Sequence, residues 1–499
     1  MSPRMPSLVN CYMRYWSISI AASILLAVPA DGAPLKGQAV TWADFNFVNS
    51  VTASLSHVYF ATTHGIIRYN KLEERWEEPL TGAAGLDDVN VLAVEVNMFD
   101  KKLYARTSTS LVEYDALLDK WFPISEVPAT DNDIVHLKPP TLMHPPIGFT
   151  YGDGGRLIDR VNRPFPISDV VDDRSGYVWI GTWGLGPAQA RSATYLVNLL
   201  SYGLLQSRVS ALFLRDSRVW IAGSAQGSLR SGISVFDPAK NAFTYFESGL
   251  GSDLPAVDVN CLAADDSSVC VGTPSGVFVI DRDSQWLKWR LSGLLGLEDD
   301  NVTSLQIMGE SLFVGTTQGL NLVTGDGDAV TSIRPGMFRG HTIYDLEAAD
   351  SALWIASTVG AYRLKLPSGR LQQFEDSGAV LFGDVYGVAS HGNNLWFVSD
   401  YGLVRLNAAS GESEPFRWGA AKIIPRSLTV NDTIAAVATN KGVWVVFHQN
   451  PARTWREFTT EDGLVSNNTF AVALDGDYLW IGTDQGLTRF LWNNPARID

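Results

Sequence analysis

A short pattern of apolar and polar residues recurs along this chain, and its clearest copy is Leu479–Phe490, LWIGTDQGLTRF. Leu479–Ile481 is an aromatic and β-branched run that is typical of a buried strand. Asp484–Gly486 are turn residues, and Leu487–Phe490 alternates apolar with polar residues as a second, paired strand does. The pattern predicts a β-hairpin, which is too small to be stable by itself.

Similar stretches return at intervals of about 40 to 45 residues, which is the length of a four-stranded propeller blade. Each stretch follows an apolar strand such as Val302–Ile307 and precedes a strand with an aromatic residue such as Trp455. The copies begin at Val58, Leu103, Val178, Val219, Val269, Leu312, Leu353, Leu395 and Ile434, with a weaker one at Ile147. We predict an all-β fold: a β-propeller of about ten to eleven four-stranded blades over residues 39–499.

The number of rings stays open. Single propellers have about four to eight blades, so ten or eleven units form either one unusually wide ring or two smaller rings. Residues 138–200 are the least regular stretch, and we expect a distorted blade or an insertion there.

The N-terminal segment Val40–Phe45, VTWADF, resembles the aromatic fourth strand of a unit, and the last unit ends near Phe490 without one. We predict that this N-terminal strand pairs with the last blade and closes the ring, which removes an exposed sheet edge. The alternative is a leader that pairs with nothing.

Residues 1–33 have the features of a signal peptide. Arg4 and Arg14 precede the apolar stretch Ile18–Val28, and small residues follow it. This stretch is shorter than the ~20 residues of a membrane span, so cleavage is favoured over anchoring. We expect a periplasmic or secreted protein without a membrane span in the mature chain.

The formal net charge of −15 and the sequence pI near 4.9 argue against nucleic acid or an anionic membrane as a partner, because both require basic surfaces. The histidines are scattered without metal-ligand spacing, and no Gly-x-Ser-x-Gly motif supplies a nucleophile. We therefore assign no catalytic residue, no metal and no cofactor.

Two cysteines, Cys261 and Cys270, follow the signal segment. Cys270 occupies the position at which other units have a large aromatic residue, and a mostly small residue stands nine positions before it. This spacing suggests that the two cysteines face each other across a hairpin. An exported protein would then form a disulfide between them, and the alternative is a pair of buried free thiols.

Acidic residues recur in the connectors between units, and a propeller gathers equivalent connectors on one face. These carboxylates would surround one mouth of the channel and bind cations, sugar hydroxyls or a basic partner; the simpler interpretation is solvation and turn capping. The candidate binding residues are Asp87, Asp88, Asp253, Asp299, Asp300 and Asp462. Trp183 follows Gly181 and Thr182 at a turn, where it is either an exposed stacking platform for a sugar or packed under residues 184–193.

The segment Asp462–Phe490 resembles the two-component regulator propeller repeat, whose pattern combines a "GL" connector, an apolar strand and a "LWIGT…GL" hairpin. The resemblance extends over the chain after its N-terminus. It implies ligand sensing upstream of kinases, and we expect a stand-alone propeller without a kinase part, which would signal through a separate membrane protein.

Three functions remain open. The first is an exported module that binds a glycan, a peptide or a protein. The second is a scaffold or assembly protein of the cell envelope. The third is a polysaccharide lyase or hydrolase, which would need two carboxylates at a suitable separation; the sequence favours a protein that is not an enzyme.

Overall fold

The computed structural model describes residues 38–97, 102–118, 120–128, 134–138, 143–224, 229–249, 254–255, 258–374, 381, 383–417, 425–449 and 455–494. These residues form ten antiparallel sheets, as the repeat count predicts. The predicted signal peptide, residues 1–33, and Asp253 lie outside the described residues. In the part of the chain that the structure describes, no helix has the length and apolarity that a membrane span requires.

The chain begins with strand β1 (Ala39–Trp42), and three sheets follow that we call the outer group. The third of them carries an extra hairpin, β11–β12, where the sequence predicts irregularity. The strands of the first sheet are β2 (Val48–Ala53), β3 (His57–Thr62), β4 (Gly65–Asn70) and β5 (Arg75–Trp76). Those of the second are β6 (Val91–Val96), β7 (Leu103–Thr107), β8 (Leu111–Asp115) and β9 (Lys120–Pro123). Those of the third are β10 (Val135–His136), β11 (Phe149–Gly152), β12 (Arg156–Asp159), β13 (Pro164–Asp172), β14 (Tyr177–Thr182), β15 (Gly186–Arg191) and β16 (Val197–Leu199).

The remaining seven sheets have four strands each, and the tenth includes β1. The fourth and fifth sheets contain β17 (Val209–Arg215), β18 (Arg218–Gly223), β19 (Gly232–Asp237), β20 (Ala242–Glu247), β21 (Cys261–Ala264), β22 (Ser268–Thr273), β23 (Gly276–Asp281) and β24 (Leu287–Leu291). The sixth and seventh contain β25 (Val302–Met308), β26 (Ser311–Thr316), β27 (Gly319–Thr324), β28 (Ala329–Ser332), β29 (Ile343–Ala349), β30 (Ala352–Ser357), β31 (Gly360–Lys365) and β32 (Arg370–Phe374). The last three contain β33 (Val385–His391), β34 (Asn394–Ser399), β35 (Gly402–Asn407), β36 (Ser413–Arg417), β37 (Pro425–Val430), β38 (Ile434–Thr439), β39 (Gly442–Phe447), β40 (Trp455–Phe458), β41 (Thr469–Asp475), β42 (Tyr478–Thr483) and β43 (Leu487–Leu491).

The helical segments are short and lie in the connectors. The α-helix α1 (Pro335–Phe338) leads from the sixth sheet to the seventh. Single turns of 3₁₀ helix occupy Gly82–Ala84, Gly293–Leu295 and Thr460–Asp462.

The fourth to tenth sheets close a ring of seven. The first strand of each sheet contacts the first strand of the next, from β17 through β21, β25, β29, β33 and β37 to β41, and β41 contacts β17 again. In the outer group, β2 contacts both β6 and β13. Of the two arrangements that the sequence left open, the contacts favour the smaller ring, with the other three sheets as a separate group.

The second strand of a sheet is buried on both faces because neighbouring sheets cover it. Every residue of β30 and β38 is buried, which explains why these strands are continuously apolar or small. Gly482 in β42 shows how closely the sheets pack, since a Cβ atom there would lie 2.7 Å from Val209 Cγ1 of the fourth sheet.

The predicted closure by the N-terminal strand is confirmed. Strand β1 pairs antiparallel with β43 and places Ala39 opposite Phe490 and Trp42 opposite Leu487. Gly486, at φ +142°, brings the turn before β43 so close to β1 that a Cβ atom would lie 2.5 Å from the Trp42 carbonyl oxygen.

A mixed apolar and charged junction joins the tenth and fourth sheets of the ring to the connectors that lead to and from the outer group. Trp42 packs on Phe236 at 4.6 Å between ring centroids, and its Nε1 donates to the hydroxyl of Tyr202 at 3.0 Å. Beside it the buried Arg230 donates to both carboxylate oxygens of Glu247 and to Asn46 Oδ1. The segment after β1 is therefore fixed to the fourth sheet.

Candidate functional site

The first strands of the seven sheets surround the axis of the ring, so their side chains border a central channel. We call one end of this channel the mouth: the end at which each first strand begins and each second strand turns into the third. The connectors between sheets reach the ring on this side.

In three sheets a short polar residue at the start of the first strand fastens that sheet to the next one. Its side chain donates to the main-chain carbonyl of the first apolar residue in the neighbouring strand. The bonds join Ser210 Oγ to Val259 O at 3.0 Å, Asn260 Nδ2 to Val302 O at 2.8 Å, and Thr303 Oγ1 to Ile343 O.

The seventh and eighth sheets depart from this pattern because the same position holds Tyr344 and Tyr386. Their ring centroids lie 4.9 Å apart at an interplanar angle of 40°, and both side chains are half-buried. Tyr344 donates its hydroxyl to Asp384 Oδ2 at 3.1 Å, and Tyr386 bonds to Asp400. Burial, reinforced by the charge of Asp384, raises the pKa of Tyr344 to about 12, so both phenols stay neutral donors at physiological pH.

The tenth sheet adds a third aromatic residue, Phe470, at this position. The Arg208 guanidinium lies over its ring at 4.3 Å from the centroid. Nearby, Asn468 Nδ2 donates to Asp484 Oδ2 at 3.0 Å, whereas Asp484 Oδ1 is buried without a hydrogen-bond partner in the described residues. One part of the mouth is therefore aromatic and acidic, and the other part holds short polar side chains.

Two carboxylates lie deeper in the channel, on β29. Asp345 Oδ2 accepts the Val388 N–H at 3.0 Å, and Glu347 Oε1 accepts the Ser390 N–H at 3.1 Å. Burial raises the pKa of Asp345 to about 7, with the nearby Glu347 adding to the effect, and burial also raises the pKa of Glu347. The two carboxylates thus accept main-chain N–H groups along the unpaired edge of β33, the neighbouring first strand.

Of the predicted acidic residues, Asp299 and Asp300 lie in the connector before the sixth sheet. Asp299 accepts from the Asp300 N–H and the Thr317 hydroxyl, and Asp300 Oδ1 accepts the Gly293 N–H at 2.7 Å. In the connector before the tenth sheet Asn467 Oδ1 accepts the equivalent N–H, that of Thr460, at 2.7 Å. Because a neutral amide oxygen accepts the equivalent hydrogen bond there, capping of the turn does not require the charge of Asp300.

Asp462 lies in the connector before the tenth sheet and forms a capping box with Thr459, whose N–H it accepts at 2.9 Å. Asp87 and Asp88 belong to the outer group and not to the ring. Asp88 accepts from Ser108 and Thr109, and although partial burial opposes it, these bonds lower the pKa of Asp88.

The ring therefore brings Asp299, Asp300 and Asp462 to the same face but on connectors that are separated by several sheets. It does not bring Asp87 or Asp88 to that mouth. Whether any of the predicted acidic residues binds a ligand stays a prediction.

Trp183 lies in the third sheet of the outer group, 38% exposed. It packs edge-to-face on Phe47 at 5.2 Å, and residues Gly186–Arg191 form β15 instead of covering it. Trp183 is therefore partly exposed and away from the ring's mouth, and whether it binds a sugar stays a prediction.

The predicted direct opposition of Cys261 and Cys270 is wrong. Cys261 lies opposite Gly272, and Cys270 lies opposite Ala263, so the cysteines are diagonal neighbours and both are free thiols. Diagonal positions are about 7–8 Å apart, which is too far for a disulfide without backbone movement. Burial strongly raises the pKa of both thiols, which makes them unreactive.

No group of three or more potential metal ligands occurs within the described ranges. The residues that sequence reasoning missed are Tyr344, Tyr386, Asp384 and Asp400. An alignment of the units on the first apolar residue of each first strand would have shown the tyrosines at a position that Ser, Asn or Thr holds in the fourth, fifth and sixth sheets.

No protein-family model matches the sequence, and no curated protein matches it at a significant level. The chain is similar in structure to PorZ, an essential surface component of the type-IX secretion system of Porphyromonas gingivalis. The TM-score is 0.58 at 14% identity, covering 91% of this chain and 87% of that one.

Two extracellular domains from B. thetaiotaomicron, assigned to hybrid two-component systems, are also similar. For BT4673 the TM-score is 0.46 at 11% identity, covering 91% of this chain and 71% of that one. For BT3049 the TM-score is 0.45 at 14% identity, covering 90% and 68%. At 14% identity the likeness to PorZ shows a shared fold alone, and the four-stranded antiparallel sheets confirm the predicted β-propeller.

Proposed function

We propose that this protein is an exported propeller that binds a ligand at the mouth of its seven-sheet ring, and that the ligand is a glycan. The observation that carries the proposal is the tyrosine pair Tyr344 and Tyr386. The two rings replace the short polar residues that fasten other sheets together, and they lie beside the carboxylates of Asp384 and Asp400.

This combination suits a sugar. Aromatic faces pack on the apolar faces of sugar rings, while carboxylates and phenol groups exchange hydrogen bonds with hydroxyl groups. Tyr401, which is 52% exposed and adjoins Asp400, extends the aromatic surface outward. Peptide and protein ligands remain the alternatives within the same binding function.

The test is a glycan array followed by calorimetry with the mature protein. For any glycan that binds, Tyr386→Ala should weaken binding about tenfold, the equivalent of about 1.4 kcal/mol from a lost aromatic contact. Tyr386→Phe, which keeps the ring but loses the bond to Asp400, should have a smaller effect. Trp286→Ala is the matched control, because Trp286 is 67% exposed at a turn between third and fourth strands, away from the mouth.

Equal binding by wild type and Tyr386→Ala would exclude the tyrosine pair as the site.

A second candidate function, an envelope scaffold, is supported by exposed apolar residues in the connector before the sixth sheet. Leu294 is 98% and Leu295 55% exposed, and a protein partner could cover them. An array without any hit, together with a partner that is captured by wild type and lost with Leu294→Ser, would favour the scaffold.

A further inference from the structure

A cleft of about 190 Å³ lies between the seventh and eighth sheets, on the outer strands and away from the channel. Three of its residues form one cross-strand row on the seventh sheet: Trp354 pairs with Arg363, and Arg363 pairs with Gln372. Phe374 and Asn407 complete the walls.

The same row occurs in two other sheets, but with a glutamate in the third position. In the eighth sheet it is Trp396, Arg405 and Glu414, and in the first sheet it is Tyr59, Arg68 and Glu77. In both, the glutamate neutralises the arginine: Glu414 forms an ion pair with Arg405, and Glu77 Oε2 lies 3.4 Å from Arg68 Nε. The seventh sheet has a neutral glutamine instead.

Arg363 consequently lacks the carboxylate partner that the equivalent arginines, Arg68 and Arg405, have. It forms no ion pair with the described residues, and its Nε atom is buried without a hydrogen-bond partner. Its guanidinium lies 5.2 Å from the centre of the Trp354 ring. The indole N–H of Trp354 also lacks an acceptor, a property it shares with Trp220 and Trp480, so the unpaired arginine is what distinguishes this cleft.

We infer that this cleft is a binding site for a carboxylate, which takes the place of the missing glutamate on Arg363. A planar guanidinium binds a carboxylate through two parallel hydrogen bonds, and removal from bulk water strengthens the pairing. The amides of Gln372, Gln373 and Asn407 can bond to hydroxyl or amide groups beside the carboxylate. The volume suits one small unit, such as a hexuronic acid or an N-acetylated acidic amino acid.

The experiment measures binding of glucuronate, N-acetylglutamate and neutral glucose to the whole protein by saturation-transfer NMR titration. We expect one or both acids to bind, and glucose not to bind. Binding of glucuronate alone would assign the site to acidic sugars, and binding of N-acetylglutamate alone would assign it to acidic amino acids.

Two variants should each weaken acid binding about tenfold or more, since each leaves the acid without a free guanidinium to bind. Arg363→Gln removes the cation, and Gln372→Glu supplies the internal carboxylate found in the eighth sheet. Gln372→Glu should leave the thermal midpoint unchanged or higher, which excludes misfolding as the cause. Arg405→Gln, in the row that already holds Glu414, is the matched control and should bind normally.

Absence of binding by both acids to the wild-type protein would overturn the inference. So would equal affinity of wild type and Gln372→Glu, because the cleft would then not be the place where the acid binds.

Discussion

Neutralising Asp345 should change how the stability of the ring depends on pH. Burial raises the pKa of Asp345 to about 7 from its ordinary value of 3.8. The carboxyl is then protonated in the folded chain but ionised in the unfolded chain between these two values, so the free energy of unfolding falls as pH rises through this range. Above pH 7 both states are ionised, and the full penalty for a buried charge remains.

The magnitude follows from the shift. About three pKa units correspond to about 4 kcal/mol as an upper limit. The hydrogen bonds from Leu346 N and Val388 N are already included in this shift. Because Asp345 is only partly buried, solvent screening reduces the penalty, and we expect about 1–3 kcal/mol. Asp345→Asn removes the charge and keeps an oxygen that can accept the Val388 N–H.

The assay is urea unfolding followed by tryptophan fluorescence between pH 4.5 and 8.5. Relative to wild type, Asp345→Asn should gain about 1–3 kcal/mol of stability between pH 4.5 and pH 8.5. Asp350→Asn, which neutralises an exposed carboxylate in the turn of the same hairpin, is the control and should follow wild type throughout. Parallel pH profiles for wild type and Asp345→Asn would refute the reasoning.

Two further substitutions test the connectors and the hairpins, both by urea unfolding. Asp300→Asn should change stability by less than about 0.5 kcal/mol, whereas Asp300→Ala should cost about 1 kcal/mol because the Gly293 N–H loses its acceptor; equal losses would contradict turn capping. Gly402→Ala should cost about 2–4 kcal/mol, since φ is +143° and the new Cβ would lie 2.2 Å from the Phe416 carbonyl oxygen. Gly392→Ala, at φ +57° with open space around it, should cost only about 1 kcal/mol, and a similar loss at both glycines would show that the close contact is unimportant.

The sequence was sufficient for the sheets and for ring closure because both depend on local pattern. The hairpin of Leu479–Phe490 repeats with its own strands and turn, and Val40–Phe45 carries the pattern of the strand that the last unit lacks. How many sheets share a ring was not predictable, because it is decided where β41 meets β17, between segments with no pairing signal in either strand.

The strand register at the cysteines and the composition of the candidate site were also not predicted correctly from the sequence. The nine-residue spacing between a small and a large residue suggested direct opposition, but the tight hairpin turn pairs Ala473 with Trp480, seven residues later. The same turn geometry separates Cys261 from Cys270. The sequence predicted a mouth lined by acidic connectors, but most of these acidic residues cap their own turns. The tyrosine pair was missed because each tyrosine occupies one position in a different sheet, and the two rings come together only when the sheets pack.

The pairing of β1 with β43 makes the ring depend on the order of synthesis. Thr41 and Thr488 touch through their hydroxyl oxygens at 3.1 Å although 447 positions separate them, so the pairing of these strands forms only when nearly all of the ring has been synthesised. Until β43 leaves the ribosome, the tenth sheet keeps an open edge and β1 lacks the partner strand with which it pairs. A copy that is cut short before Leu487 leaves the ring unsealed and exposes strand edges to proteases and to other chains. The ring is thus complete only after translation has passed β43.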